Sequence, residues 1–168
     1  MRRFSFCLAA AALVSAGMVA APAVHAQTIG IDVGATAPTA RLETLDGKPA
    51  NLSEYIGKSP VLIEFWATWC PNCRELEPSL LAMQKKYGQQ VQFLGVAVSV
   101  NESPKLVQRY AKKHDFHHTI LYDRKGNATT AYNVPATSYV VVINKAGKVV
   151  YTGLGGDQNL EAAIKKVL

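Results

Sequence analysis

Trp69-Cys70-Pro71-Asn72-Cys73 is the stretch of this chain whose residue types and spacing can do chemistry. Two thiols three residues apart can cycle between dithiol and disulfide, or supply part of a metal site. A disulfide here closes a ring of four residues, too small to restrain the unfolded chain much, so the pair reads as chemical rather than structural. The preceding run, Val61-Leu62-Ile63-Glu64-Phe65-Trp66, is almost wholly apolar and suits a strand covered on both faces. Pro71 suits the first turn of a helix. The cysteines therefore fall at a strand-to-helix junction, where unpaired N–H groups and the helix dipole favour a negative sulfur and lower a thiol pKa from about 8.5 by one to several units. Cys70 is expected to be the exposed nucleophile. Cys73, one turn inside the helix on its inner side, is expected to attack a mixed disulfide on Cys70 and release the product. Half of a zinc site is the competing reading, and it needs two further ligands.

The helix opened by Pro71 carries Leu76, Leu80, Leu81, Met83 and Tyr87 at helical spacing until Gly88 stops it, and Pro78 inside it should kink it. Upstream, Thr39 to Leu45 reads as a short strand, Asp46-Gly47-Lys48 as a turn and Asn51 to Tyr55 as a short helical turn. Downstream, Val91 to Val100 reads as a second buried strand, and Ser103-Pro104 opens a helix with Leu106, Val107 and Tyr110. His118 to Tyr122 is a brief strand and Asp123 to Asn127 a polar turn. Tyr139 to Ile143 and Val149 to Thr152 form a hairpin around Lys145-Ala146-Gly147-Lys148, and Asp157 to Leu168 closes as a helix. The pattern predicts an α/β domain with a mixed sheet, parallel crossovers first and an antiparallel hairpin last.

Of the 168 residues, the first 26 read as an export signal. Arg2 and Arg3 form a positive start, Phe4 to Ala21 is apolar and Ala-rich, and Val24-His25-Ala26 offers small residues at the cleavage spacing. An uncleaved membrane anchor is the alternative, because about 18 apolar residues just suffice to span a bilayer. The expected organisation is a signal at 1–26, a leader at 27–33 and one domain at 34–168, in the periplasm or outside the cell. A chain of about 142 residues hides roughly 68% of its unfolded surface, enough for a core without disulfide staples. The formal charge of +6 becomes +4 when Arg2 and Arg3 leave, with 16 basic residues against 12 acidic ones. Those basic residues are scattered in ones and twos, so nucleic acid is not indicated as a partner. Cys7 leaves with the signal, and only Cys70 and Cys73 remain.

Phe65-Trp66-Ala67-Thr68-Trp69-Cys70-Pro71-Asn72-Cys73 resembles the active-site stretch of the thioredoxin superfamily, in particular its exported TlpA/ResA-like branch. Gly34 through Pro38, Leu45-Asp46-Gly47-Lys48, Leu52 through Lys58, Pro78, Asp123 and Asn144 through Gly147 extend the resemblance over residues 34–168. It implies a thioredoxin-like fold, a central mixed β-sheet flanked by helices with an N-terminal extension. It also implies a thiol-disulfide oxidoreductase that reduces disulfides of exported proteins, including those met in cytochrome c maturation. No cofactor is implied beyond the Cys70-Cys73 disulfide. The implied partners are a disulfide-containing substrate and a membrane thiol donor of electrons, with the protein itself a monomer. A reductase is favoured over an oxidase, because residues 101–121 leave no room for the larger helical insertion an oxidase usually carries. Glu64 matches the buried acid beneath the disulfide and is the candidate proton acceptor for Cys73, burial bringing a carboxyl pKa toward neutrality. The other reading of Glu64 is a carboxylate reaching a lysine at the sheet edge. Trp69, Pro71, Thr137 and Ser138 are the implied substrate groove.

One position departs from the family pattern. Counting back from Asn144-Lys145-Ala146-Gly147 puts Thr137-Ser138 where the family keeps a cis-proline, and Pro135 lies three residues early. A non-proline cis bond costs about 3 to 4 kcal/mol, so a trans bond or a remodelled loop is expected. The missing proline motivates a second reading, a soft-metal protein holding Cu(I) on Cys70 and Cys73. Copper chaperones of the Sco type, however, space their cysteines by four, and peroxiredoxins place a threonine three before the cysteine, whereas Thr68 is two before Cys70. His114, His117 and His118 with Asp115 read as solvent-facing residues at a helix-to-strand junction rather than metal ligands.

Overall fold

The computed structural model of the chain describes residues 29–168, so the expected signal at 1–26 and the first residues of the expected leader lie outside the described region. Seven strands form one sheet: β1 (Arg41–Thr44), β2 (Pro49–Asn51), β3 (Val61–Trp66), β4 (Gln92–Ala97), β5 (Thr119–Tyr122), β6 (Tyr139–Ile143) and β7 (Val149–Leu154). Their spatial order is β2-β1-β5-β4-β3-β6-β7. β3 pairs in parallel with β4, and β4 with β5, while β6 joins β3 and β7 antiparallel. The mixed sheet expected from the pattern is thus present. Among the described residues four α-helices accompany it, α1 (Pro71–Tyr87), α2 (Pro104–Lys113), α3 (Asn127–Ala131) and α4 (Leu160–Ile164), with the expected short helical turn at Leu52–Glu54.

All six residues of β3 are buried, as an inner strand requires. Its side chains alternate between two cores. Val61, Ile63 and Phe65 join Leu94, Val96 and Val141 on one face. Leu62 meets Leu76 and Leu80 of α1, Phe93, Val142, and Leu160 and Ile164 of α4 on the other. Each of these leucines contributes roughly 2 kcal/mol through burial. The period of two places Glu64 on the α1 face with Leu62.

α1 spans Pro71–Tyr87 with Pro78 inside it, and Pro78 has no N–H to donate to the Arg74 carbonyl. The closing helix is shorter than expected, because Asn159 caps it by accepting from the Ala162 N–H and it ends at Ile164. β2 and α3 escape the sequence pattern. β2 is a three-residue edge strand, and α3 has no apolar period: the buried Asp123 carboxylate holds it, accepting from the Thr129 N–H at 2.8 Å and its hydroxyl at 3.1 Å. The segment before β1 docks on the hairpin. The Ile31 N–H donates to the Tyr139 hydroxyl at 3.1 Å and the Gly34 N–H to the Val149 carbonyl at 2.8 Å. Gly30 sits at φ +90, where a Cβ would overlap the Tyr139 hydroxyl. Among the described residues no helix is long and apolar enough to cross a membrane.

Candidate active site

Cys70 is the N-cap of α1, with extended backbone, and Pro71 follows at the first helical position. The two cysteines form a disulfide, and the Cys70 sulfur also accepts from the Cys73 N–H at 3.1 Å. A sulfur so placed faces the unpaired donors and positive end of a seventeen-residue helix. The expectation that Cys70 is exposed does not hold for this oxidised state: Cys70 is 2% and Cys73 7% exposed. The Cys70 sulfur lies against the helix end, bonded to Cys73 and accepting from its N–H.

Cys70 nevertheless lines a cavity of ≈ 740 Å³. Trp69, Pro71 and Asn72 form one wall, Val98 to Val100 a second, and Val134, Ala136 and Thr137 a third, with no charged side chain among the lining residues. Trp69 stands 44% exposed on the rim, its indole N–H donating to the Val100 carbonyl at 2.7 Å. The β4–α2 loop is a wall that the sequence analysis missed, because nothing near Val100 announces proximity to Trp69.

The Thr137-Ser138 bond is cis, which corrects the expected trans bond or remodelled loop. Ser138 leads directly into β6, is wholly buried, and donates its hydroxyl to Glu64 Oε1 at 3.0 Å. The same contact removes Ser138 from the groove. Thr137 lines the cavity and Ser138 points the other way, into the protein.

Glu64 is 3% exposed and lies between Gly95 of β4 and Val140 of β6, so it is no sheet-edge residue. Burial pushes its carboxyl up to about 7; the Ser138 hydrogen bond opposes the shift and the charge of Glu77 adds to it. Glu77, four residues after Cys73 on α1, accepts from the Tyr110 hydroxyl at 3.0 Å and meets His114 Nδ1 at 2.8 Å. Glu77 and its link to Tyr110 and His114 also went unrecognised, although the offset of four places Glu77 on the Cys73 stripe of the helix. Another acid, Glu102, accepts from the Thr68 N–H at 2.8 Å and braces the turn before Cys70.

The histidines are not all solvent-facing. His114 stacks on Tyr110, ring centroids 3.9 Å apart, and His118 lies against Phe116 with Nδ1 3.3 Å from the Gln84 side chain. Burial holds His118 down to about 4. His117, the most exposed of the three, meets Asp115 at 3.1 Å. The junction folds back on α1 because Glu77 and Gln84 present partners there. No group of three or more His, Cys, Asp or Glu among the described residues is arranged to hold a metal ion.

A seven-stranded mixed sheet carrying a two-cysteine disulfide at a helix N-terminus defines a thioredoxin-like protein. The chain belongs to the Redoxin family, whose profile matches residues 32–168. It is 32% identical over 142 residues to thiol-disulfide oxidoreductase ResA of Geobacillus kaustophilus, covering 82% of this chain and 79% of that protein. It is 35% identical over 120 residues to thioredoxin-like protein YneN of Bacillus subtilis, covering 71% and 69%. A crystal structure of a secreted Mycobacterium tuberculosis disulfide oxidoreductase, homologous to Escherichia coli DsbE, superposes with TM-score 0.62 at 27% identity, over 74% of this chain and 92% of that one. The protein is a ResA-like thiol-disulfide oxidoreductase.

Proposed function

We propose that the protein is exported and works as a reductant of protein disulfides, with Cys70 as nucleophile, Cys73 as resolving thiol and Glu64 as proton acceptor. The carrying observation is the Cys70-Cys73 disulfide at the N-terminus of α1, on the sheet face that holds the buried Glu64. In the reduced protein the Cys70 thiolate attacks a substrate disulfide, one substrate sulfur leaves as thiolate, and a mixed disulfide remains. Cys73 then yields its proton to Glu64 and attacks the Cys70 sulfur. The second substrate sulfur leaves, two electrons have passed to the substrate, and the protein disulfide is restored. A carboxyl near 7 is matched to that proton transfer at physiological pH.

Export is supported by the signal pattern of residues 1–26 and by the secreted character of the Mycobacterium tuberculosis relative. Outside the cytoplasm, re-reduction needs an external dithiol, and a membrane thiol carrier has that chemistry. The short segment 101–121 supports reduction over oxidation. Trp69, Pro71 and Thr137 would contact the substrate, and clients of cytochrome c maturation are the leading substrate class.

The test is the equilibrium of Cys70 and Cys73 with a series of glutathione mixtures, followed by Trp66 and Trp69 fluorescence. A potential near or below about −230 mV supports the reductant, whereas one near −120 mV makes the protein an oxidant of exported thiols. Failure of the disulfide to form in solution would overturn the oxidoreductase cycle.

A further inference from the structure

The turn that leads from β5 into α3 has two faces. Gly126 and Thr129 line the cavity beside Cys70, whereas Lys125 and Asn127, on either side of Gly126 in the chain, line a separate hollow of ≈ 230 Å³ against β1. That hollow gathers the cations Arg41, Arg124 and Lys125 around a single carboxylate, Glu43. Glu43 is already engaged: Arg124 Nε donates to its Oε2 at 2.8 Å, and the Arg124 guanidinium lies 5.2 Å from the centre of the Tyr122 ring. Arg41 and Lys125 are exposed, and among the described residues their side chains have no ion pair or hydrogen bond. The placement of these cations is fixed by the backbone. The Asn127 side-chain amide donates to the Arg41 carbonyl at 3.0 Å, tying α3 to β1, and the Asp123 carboxylate holds the turn through the Thr129 N–H and hydroxyl. Asp123 is wholly buried, and Glu102 turns its carboxylate inward onto the Thr68 N–H, so neither acid pairs with the cations of the hollow.

We propose that this hollow receives an acidic side chain of the protein substrate, so that the protein selects disulfides with Asp or Glu a few residues from the reacting cysteine. The proposal rests on the disulfide-exchange reading and adds to it the charge of the substrate. Consecutive Cα atoms lie about 3.8 Å apart, so the Lys125 backbone is one step from Gly126 of the groove wall, inside the roughly 8 to 10 Å over which a charge is felt in salt. The groove carries no charged side chain of its own, and a substrate seated there meets positive charge just past Gly126. Arg41 offers the planar fork that pairs with both oxygens of a carboxylate, and Lys125 adds a point charge beside it.

The experiment mixes the reduced protein with an excess of disulfide peptides that are identical except for a pair of Asp, Asn or Lys residues a few positions from the cysteine. Trp66 and Trp69 fluorescence gives the second-order rate constant for each peptide at low and high salt. Exposed ion pairs are individually weak, and a small group of them predicts that the Asp peptide reacts about three- to tenfold faster than the Lys peptide, with Asn between and a smaller ratio at high salt. Arg41→Gln combined with Lys125→Gln should bring that ratio close to one. Lys58→Gln combined with Lys145→Gln removes the same charge at the opposite end of the sheet, where β3 begins and β6 ends, and should keep the ratio of the wild type. A wild-type ratio of one or below, or a loss in the Arg41 and Lys125 variant no greater than in the Lys58 and Lys145 variant, overturns the proposal. Peptides reduced at equal rates leave the exchange reading standing and remove only the acidic preference. If no peptide is reduced, the exchange reading fails and the proposal fails with it.

Discussion

The hydroxyl of Ser138 donates to Oε1 of Glu64 at 3.0 Å, joining residues 74 apart in sequence. Both are buried. Thr137 lines the groove on one side of the Thr137-Ser138 bond, and on the other side Ser138 holds the acid of the opposite strand. The loop that lines the cavity beside Cys70 is thereby tied to the group proposed to move the proton.

Removing that hydroxyl tests the tie. A hydrogen bond to the ionised form lowers a carboxyl pKa, so Ser138→Ala should raise the Glu64 midpoint above about 7. The lost bond should also cost about 1 kcal/mol of stability. Infrared titration and urea unfolding read the two effects, and a falling midpoint would refute the tie.

Glu64 should also govern how stability varies with pH. Its folded-state value is about 7 against an ordinary 4.5. Well below 4.5 both folded and unfolded chains hold the proton, and no difference arises. Between the two values the folded protein keeps a proton the unfolded chain has released, so stability falls as pH rises, by up to about 1.4 kcal/mol per unit. Above the folded value the loss is complete, on the order of 3 kcal/mol. Glu64→Gln should flatten this slope in the oxidised protein, so that its stability relative to wild type grows from acid to alkaline pH. Urea unfolding near pH 4, 6 and 8 checks this, and parallel pH profiles would count against it.

Gly95 is a packing constraint at the same layer. A Cβ there would lie 2.9 Å from Trp66 Nε1 and 3.2 Å from His118 Nε2. Trp66 has no room to move between Tyr110 and Phe116. Gly95→Ala should therefore cost about 1 to 3 kcal/mol, measured by denaturant unfolding with unchanged groove chemistry at Cys70.

Trp69→Phe keeps an aromatic ring at the rim but removes the donor to the Val100 carbonyl. A bond worth about 0.5 to 1.5 kcal/mol corresponds to a two- to tenfold effect. If the groove binds substrate, the KM for a peptide disulfide should rise by that factor while kcat changes little. A fall in kcat with KM unchanged would place Trp69 in the chemistry instead of in binding.

The sheet and the thiols were legible because their signals are local. Val61–Trp66 is continuous and apolar, Cys70-Pro71 marks a helix start, and Gly88 marks its end. The short elements were not: β2 exists because β1 pairs with it, and α3 because a carboxylate at position 123 reaches forward to position 129. The histidines misled for a similar reason. Their polarity argues for solvent, but Glu77 and Gln84 of a different helix offer His114 and His118 inward partners.

From the sequence alone come the two thiols, their place at a helix N-terminus, the acid six residues before them and the α/β pattern, all carried by spacing along one stretch of chain. The tertiary structure alone decided the rest. It made Thr137-Ser138 cis without a proline, turned Ser138 onto Glu64, set Val100 against Trp69 and brought Tyr110 and His114 to Glu77. The side-chain contacts among these join residues 31 to 74 positions apart. Such contacts follow from which strands and helices lie side by side, and no local period encodes that.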